Sequence, residues 1–168
     1  MTPKHYYEKN HFYFITTITE KRRPIFKEKI SCDLLINLII YHKFQCSYNI
    51  KAFVIMPDHI HFIIQHMGKD NISSIMKKIK GNFSRYYNRM KNTSGTVLQK
   101  GFYDSIIRDK RQLYETMEYI HKNPAKNQLV SNLNEYEYSS YNYYCKEDNK
   151  FALMLMDTFE WIRSYCYL

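Results

Sequence analysis

The chain has 168 residues, with 25 Lys plus Arg against 16 Asp plus Glu and a formal charge of +9; this fits one domain large enough for a real core. With 45% hydrophobic residues and only 4 Gly and 4 Pro, the composition excludes a disordered tail, a collagen-like chain and low-complexity sequence. A basic surface with 17 Tyr and 10 Phe suits a polyanion whose bases can stack, so nucleic acid is the first partner to test, although tyrosine is also an ordinary half-buried residue and excess lysine often only confers solubility.

Residues 11–19 are rich in β-branched and aromatic side chains and predict a strand, closed by the basic turn Glu20-Lys21-Arg22-Arg23-Pro24. A helix follows from a cap at Ser31 or Asp33, with Leu34, Leu35, Leu38, Ile39 and Tyr41 at helical spacing. Two strands, residues 48–56 and 59–66, are joined by the turn signal Pro57-Asp58. The cleanest periodicity covers residues 71–91: Ile72, Ile75, Met76, Ile79, Phe83, Tyr86, Tyr87 and Met90 recur three or four apart, with Gly81 as a weak point. Residues 102–107 predict an edge strand. A third helix starts near Asp109, and Pro124 is expected to stop it. A Tyr-rich stretch, residues 136–144, precedes a last apolar helix over about 151–165.

The order strand, helix, strand, strand, helix, strand predicts an α+β fold: a ferredoxin-like split βαβ antiparallel sheet with helices on one face, followed by a C-terminal helical extension. Residues 1–145 form the expected domain and 146–168 a tail packed on it. No apolar run approaches the length of a membrane span, since the longest, residues 34–41, is interrupted by Asn37. The N-terminus lacks the apolar core of a secretory signal, so a cytoplasmic, reducing location is expected. Cys32, Cys46, Cys145 and Cys166 form no C-x-x-C pair and are read as small buried hydrophobes.

Three features point to chemistry. His59 and His61 are two apart on a predicted strand, so both imidazoles stand on the same side and can share one divalent ion; an alternating strand also places polar residues on its wet face by default. Tyr119 and Asn123, four apart on the third helix, share a face, which lets a phenol and an amide oxygen point into one site. The amide is a reasonable third ligand that leaves coordination positions open; the structural alternative makes Asn123 a helix C-cap and Tyr119 a packing residue. The third feature is basic: Lys77, Lys78, Lys80, Arg85, Arg89 and Lys91 are expected to project outward from the second helix, with Lys100, Arg108, Lys110 and Arg111 nearby in sequence, as contacts for phosphates. Such charges more often form a solvated face.

Three separated blocks then carry a resemblance. Residues 53–64, with Pro57-Asp58-His59-Ile60-His61, residues 100–109, with Lys100-Gly101-Phe102-Tyr103, and Tyr119-Ile120-His121-Lys122-Asn123-Pro124 together resemble the single-tyrosine HUH transposases of the IS200-like family, in particular their REP-associated branch. The resemblance runs from about the first strand to Tyr144. It implies cleavage of single-stranded DNA beside a hairpin, with His59 and His61 holding Mg²⁺ or Mn²⁺ and Asn123 in the place of the third ligand. It also implies attack by Tyr119 on the scissile phosphate, giving a 5′-phosphotyrosine and a free 3′-hydroxyl, and thus DNA transposition or processing of REP elements. Ala125 stands where the family usually has Val after Asn-Pro. The REP-associated branch favours a monomer, and insertion-sequence relatives are homodimers that exchange the tyrosine helix.

The chemistry is reasonable in its own terms. A phenol is a poor nucleophile at neutral pH, so a cation that stabilises developing charge on phosphate supplies much of the acceleration. Tyr103 and Tyr114 are rival nucleophiles, but neither has an amide one helical turn on. The alternatives from other classes are a catalytically inactive single-stranded nucleic-acid-binding module of the same fold and a metal-dependent hydrolase that needs the histidines and releases free 5′-phosphate ends.

Overall fold

The computed structural model describes residues 7–8, 10–146, 149–151 and 154. Its elements are β1 (Phe12–Ile18), α1 (Lys29–Cys46), β2 (Tyr48–Ile55), β3 (His59–His66), α2 (Ile72–Lys91), β4 (Tyr103–Ile107), α3 (Lys110–Lys126) and the short α4 (Tyr141–Cys145). The four strands form one sheet in the order β2-β3-β1-β4, every neighbouring pair antiparallel. This is the expected split βαβ sheet, and β4 lies at its edge as expected.

Alternation along β1 divides the sheet into two faces. Tyr13, Ile15 and Thr17 are buried on one, opposite Ile64, Phe62 and Ile60 of β3. This is the face that α1 and α2 cover: Tyr48 on β2 donates its hydroxyl to the Ile39 carbonyl of α1 at 2.6 Å. The two helices run antiparallel, with Lys91 paired to Glu28 at one end and Lys78 donating to the Cys46 sulfur at the other. Leu35, Ile39, Ile75, Ile79 and Phe83 fill the layer between them and the sheet.

The second face carries Phe14 and Thr16 of β1, His59 and His61 of β3, and Tyr103 of β4, by the same register. Across it lies α3, which brings Tyr119 against Phe14 and His61. The two crossover helices therefore share one face, while the helix after the split βαβ unit takes the other.

Local differences from the sequence reading have plain causes. α1 begins at Lys29, with Glu28 as its N-cap residue, so Ser31 and Asp33 lie inside the helix; the Asp33 carboxylate accepts from the Tyr138 hydroxyl at 2.8 Å instead. Pro124 does not end α3, which continues to Lys126. Proline lacks an N–H, but the next turn closes around it through bonds from Asn127 N to Asn123 O at 3.0 Å and from Leu129 N to Pro124 O at 2.9 Å. α2 is capped as its pattern requires, the Asn71 side chain accepting from Ser74 N at 2.9 Å.

The Tyr-rich stretch seals the open edge of β2. Ile55 N donates to Tyr138 O at 2.9 Å and Ser140 N to Phe53 O at 3.0 Å, while the Tyr136 hydroxyl donates to Ile55 O at 2.8 Å. An edge that would otherwise expose unpaired backbone is thereby satisfied. Of the expected tail, only Lys146, the 3-10 turn Asn149–Phe151 and Met154 are described, Phe151 packing edge-on to Phe53; the expected helix over 151–165 otherwise lies outside the described residues. Cys32 and Cys46 are buried free thiols and Cys145 is partly covered. No helix among the described residues is long and apolar enough to cross a membrane.

Candidate active site

β3 presents His59 and His61 side by side, their ring centroids 4.7 Å apart. Each ring is anchored through the same nitrogen. His59 Nδ1 lies 2.6 Å from Asp58 Oδ1, and His61 Nδ1 lies 2.8 Å from the Thr16 hydroxyl on the neighbouring strand β1. With Nδ1 occupied on both, the Nε2 atoms are the ones left to act together, and a carboxylate or hydroxyl behind each imidazole is the usual support of a metal-binding histidine.

Electrostatics favour the same use. Burial pushes the His61 pKa down to about 3, helped by the neighbouring charge of His59 and opposed by Asp58, so His61 is neutral at physiological pH and its lone pair is available. Burial alone would raise the Asp58 pKa, but hydrogen bonds from His59 and Arg22 outweigh it and hold the carboxyl below its ordinary value. Arg22 Nη1 donates to Asp58 Oδ2 at 3.0 Å, so one carboxylate joins a guanidinium to an imidazole.

α3 delivers the phenol. The Tyr119 ring stands 5.5 Å from His61 and 5.9 Å from Phe14, edge-on to both, and Phe14 in turn stacks on His61 at 5.3 Å. These contacts hold one side of the ring, yet Tyr119 is 44% exposed, so its hydroxyl remains accessible. Lys126, two helical turns on, places its ammonium 5.8 Å from the Tyr119 ring centre, a position that depends on α3 continuing past Pro124. Asn123 is buried one turn beyond Tyr119. Its Oδ1 accepts from Asn127 Nδ2 at 2.9 Å, and the same Asn127 amide also donates to the Asn123 carbonyl at 2.9 Å. Asn127, not Asn123, is thus the residue that closes α3, and the Asn123 oxygen keeps a second lone pair.

The structure brings Tyr119, His59 and His61 together on one face. Among the described residues no three His, Cys, Asp or Glu side chains form a group that could hold a metal ion; the paired groups here are the two imidazoles, with Asn123 one turn beyond Tyr119 on α3. The rival Tyr103 is exposed on the same face, but its ring meets Phe14, and among the described residues no imidazole contact accompanies it. Tyr114 lies on another flank of α3, lining a groove of about 840 Å³ with Glu118, His121 and Tyr141.

The basic residues divide differently. Lys77, Lys78, Arg85, Arg89 and Arg108 are exposed, Lys78 being paired with Asp70 at 2.8 Å and Arg85 lying over Tyr86. α2 covers the opposite face of the sheet, so its cations stand behind the sheet from Tyr119. Lys80 does not project outward at all. It is 8% exposed and donates to the carbonyls of Lys100 at 3.0 Å and Gly101 at 2.6 Å, which fixes the chain entering β4 and removes this residue from the phosphate-facing set.

Sequence reasoning missed Thr16, Asp58, Arg22 and Asn127. Asp58 directly precedes His59 and was legible as a possible support, but its Pro-Asp context reads as a turn. Thr16 becomes visible only with the β1–β3 register.

Comparisons with known proteins bear on the family and the fold. The family described as Transposase IS200 like matches residues 7–123. A Haemophilus influenzae protein carrying a provisional REP-associated tyrosine transposase name is 31% identical over 100 residues, covering 54% of this chain and 57% of the relative. The chain thus spans little more than half the length of that relative. A REP-associated tyrosine transposase of Escherichia coli K12 is 27% identical over 139 residues, covering 82% of this chain and 81% of the relative. A solved REP-associated tyrosine transposase bound to a REP hairpin shares the fold with a TM-score of 0.74 at 24% identity, over 84% of this chain and 82% of that one.

Proposed function

The chain belongs to the IS200-like transposase family, and from that premise we propose that it is a tyrosine transposase that cuts and rejoins single-stranded DNA through Tyr119. The observation that carries this reading is the contact of an accessible Tyr119 ring with His61, beside two imidazoles that are both anchored through Nδ1.

In the proposed reaction the Tyr119 oxygen attacks the scissile phosphorus and forms a new P–O bond. The phenol proton leaves to solvent on the exposed side of the ring. The bond from phosphorus to the 3′-oxygen breaks, and that oxygen departs as a 3′-hydroxyl after taking up a proton. One phosphodiester is exchanged for another, so a different 3′-hydroxyl can later attack the phosphotyrosine and reseal the strand without an external energy source. Phe14 and His61 restrict the ring's orientation before attack, which supplies positioning.

His59 and His61, with the Asn123 oxygen one turn beyond Tyr119, would hold Mg²⁺ or Mn²⁺ through a mixed nitrogen and oxygen set. When bound, such a cation polarises the phosphate and offsets the charge that builds up as the phenol attacks. Asp58 and Thr16 keep the two rings in the required orientation and tautomer.

Hairpin-bearing single-stranded DNA is the proposed substrate, and transposition or REP-element processing the proposed outcome. The relative bound to a REP hairpin supports this choice, as does the net charge of +9. Tyr119 and the histidines meet within one chain, which supports a monomer as the active unit.

The test is direct. Purified protein, a hairpin-bearing single-stranded oligonucleotide and Mn²⁺ are incubated and run on a denaturing gel. A protein–DNA adduct is expected, and Tyr119→Phe is expected to abolish it while still binding the DNA. An adduct that persists in Tyr119→Phe overturns the assignment, and binding without cleavage by the unaltered protein indicates a binding module instead.

A further inference from the structure

We propose that the turn carrying Lys21 and Arg22 is a phosphate-binding site for the DNA strand alongside the catalytic tyrosine. The inference rests on the reading of the site just given and assigns a function to a segment outside it.

Lys21 and Arg22 are consecutive residues in the left-handed region, with φ of 55° and 51°. Long side chains adopt that conformation rarely, and two in succession more rarely still. The surroundings hold the turn in place. Glu20 N donates to Val97 O at 2.8 Å, Thr19 N donates to Asp58 O at 2.9 Å, and the Arg23 guanidinium donates to Thr96 O at 3.1 Å. The Thr19 hydroxyl lies 2.8 Å from Arg23 O and 3.0 Å from Asp58 O. The strained turn is therefore bolted to the start of β3 and to the loop that precedes β4.

These bonds are made by backbone and by Thr19 and Arg23. The side chains at the two strained positions are directed elsewhere: both residues are exposed, and the Arg22 side chain is 65% exposed. Arg22 uses Nη1 on Asp58 Oδ2 at 3.0 Å, and the other oxygen of that carboxylate holds His59. Four further N–H groups of the guanidinium fork remain at the rim of the histidine pair. A fork of this kind can take two phosphate oxygens while it keeps its hold on Asp58, and Lys21 adds a second positive charge. The cations of α2 stand behind the sheet, whereas this turn reaches the carboxylate that holds His59.

A solvated arginine in an exposed ion pair is the ordinary alternative, and the salt dependence of binding separates the two. Binding of an unstructured oligonucleotide and of a hairpin-bearing one is measured over a range of salt concentrations in Tyr119→Phe protein, where cleavage cannot intrude. Loss of one phosphate contact lowers the slope of log K against log salt by about 0.7 for a single strand. Adding Arg22→Gln is expected to produce that reduction and Arg22→Lys to restore most of the slope. An Arg22→Gln slope equal to that of the Tyr119→Phe parent overturns the proposal. If Arg22→Gln fails to fold, Lys21→Gln, which leaves the Asp58 pair intact, decides by the same slope. The reaction itself is judged separately, from adduct formation with Tyr119 present: a parent that binds but a Tyr119 protein that forms no adduct overturns the chemistry, while the slope still decides the role of the turn.

Discussion

His59 and His61 show how a pair of side chains becomes a site through what stands behind it. Spacing alone put both rings on one side of a strand, and the register of β1 against β3 then set the Thr16 hydroxyl behind His61, while the sequence neighbour Asp58 took His59. The first relation was legible because the strand period is two; the second was not, because it depends on which residue of a strand 45 positions away lies opposite. These supports make a measurable prediction. Asp58→Asn and Thr16→Val remove the group that orients each ring without removing the ring, and each is expected to weaken Mn²⁺ binding about 10- to 100-fold, the usual effect of losing an outer-shell partner. Calorimetric titration of the full chain without DNA reads this directly. Unchanged Mn²⁺ affinity in both variants would mean that the imidazoles need no support, and with it the argument from Nδ1 anchoring would fail.

Helix periodicity located α2 to within one residue, yet it misassigned Lys80. The signal was present: Met76, Lys80, Phe83 and Tyr87 follow one another at spacings of four, three and four, so Lys80 lies on the ridge that packs inward. Reading it as one more surface charge gave residue type precedence over angle. α3 shows the converse error, since Pro124 was given precedence over a turn that Asn127 could close. The burial of Lys80 has a consequence for pH. Burial lowers its pKa from 10.5 to about 8 in the folded protein, whereas the unfolded chain keeps the proton to the higher value. Between these limits the unfolded state holds more protons, so the penalty for the buried charge is relieved as pH rises from 8 towards 10.5 and is constant below 8. Lys80→Met has no such dependence. In urea unfolding at pH 7.5 to 10, the stability of the unaltered protein relative to Lys80→Met is expected to increase by on the order of 1 kcal/mol per pH unit across that window. A gap that stays constant with pH would show that Lys80 is not the buried, proton-losing group described.

At the scale of the whole molecule, the order of elements specified the sheet, because a split βαβ connection leaves few alternatives. What it did not specify was how the chain after α3 returns. Residues 138–140 pair with the outer edge of β2 through contacts such as Val54 with Ser139, a relation between segments more than eighty residues apart that no local pattern encodes. The abundance of tyrosine thus has a partly structural cause: Tyr136, Tyr138 and Tyr144 direct their hydroxyls to Ile55 O, Asp33 and Lys51 O, closing the sheet edge, while among the described residues Tyr119 is the tyrosine that meets an imidazole of the histidine pair. The closure also reaches α3. Ser140 Oγ accepts from Phe53 N at 2.9 Å and lies 2.7 Å from His121 Nε2, so a single hydroxyl links the β2 edge to the helix that carries Tyr119. Both partners are buried, and removing the hydroxyl takes away the bond that Phe53 N makes. Ser140→Ala is accordingly expected to lower stability by about 1–3 kcal/mol in urea unfolding, to speed hydrogen exchange at the Phe53 amide, and to slow adduct formation by loosening α3 over the histidines. A variant with normal exchange at Phe53 and an unchanged adduct rate would show that α3 is held over the sheet by apolar packing of Leu113, Met117 and Ile120 without help from this hydroxyl.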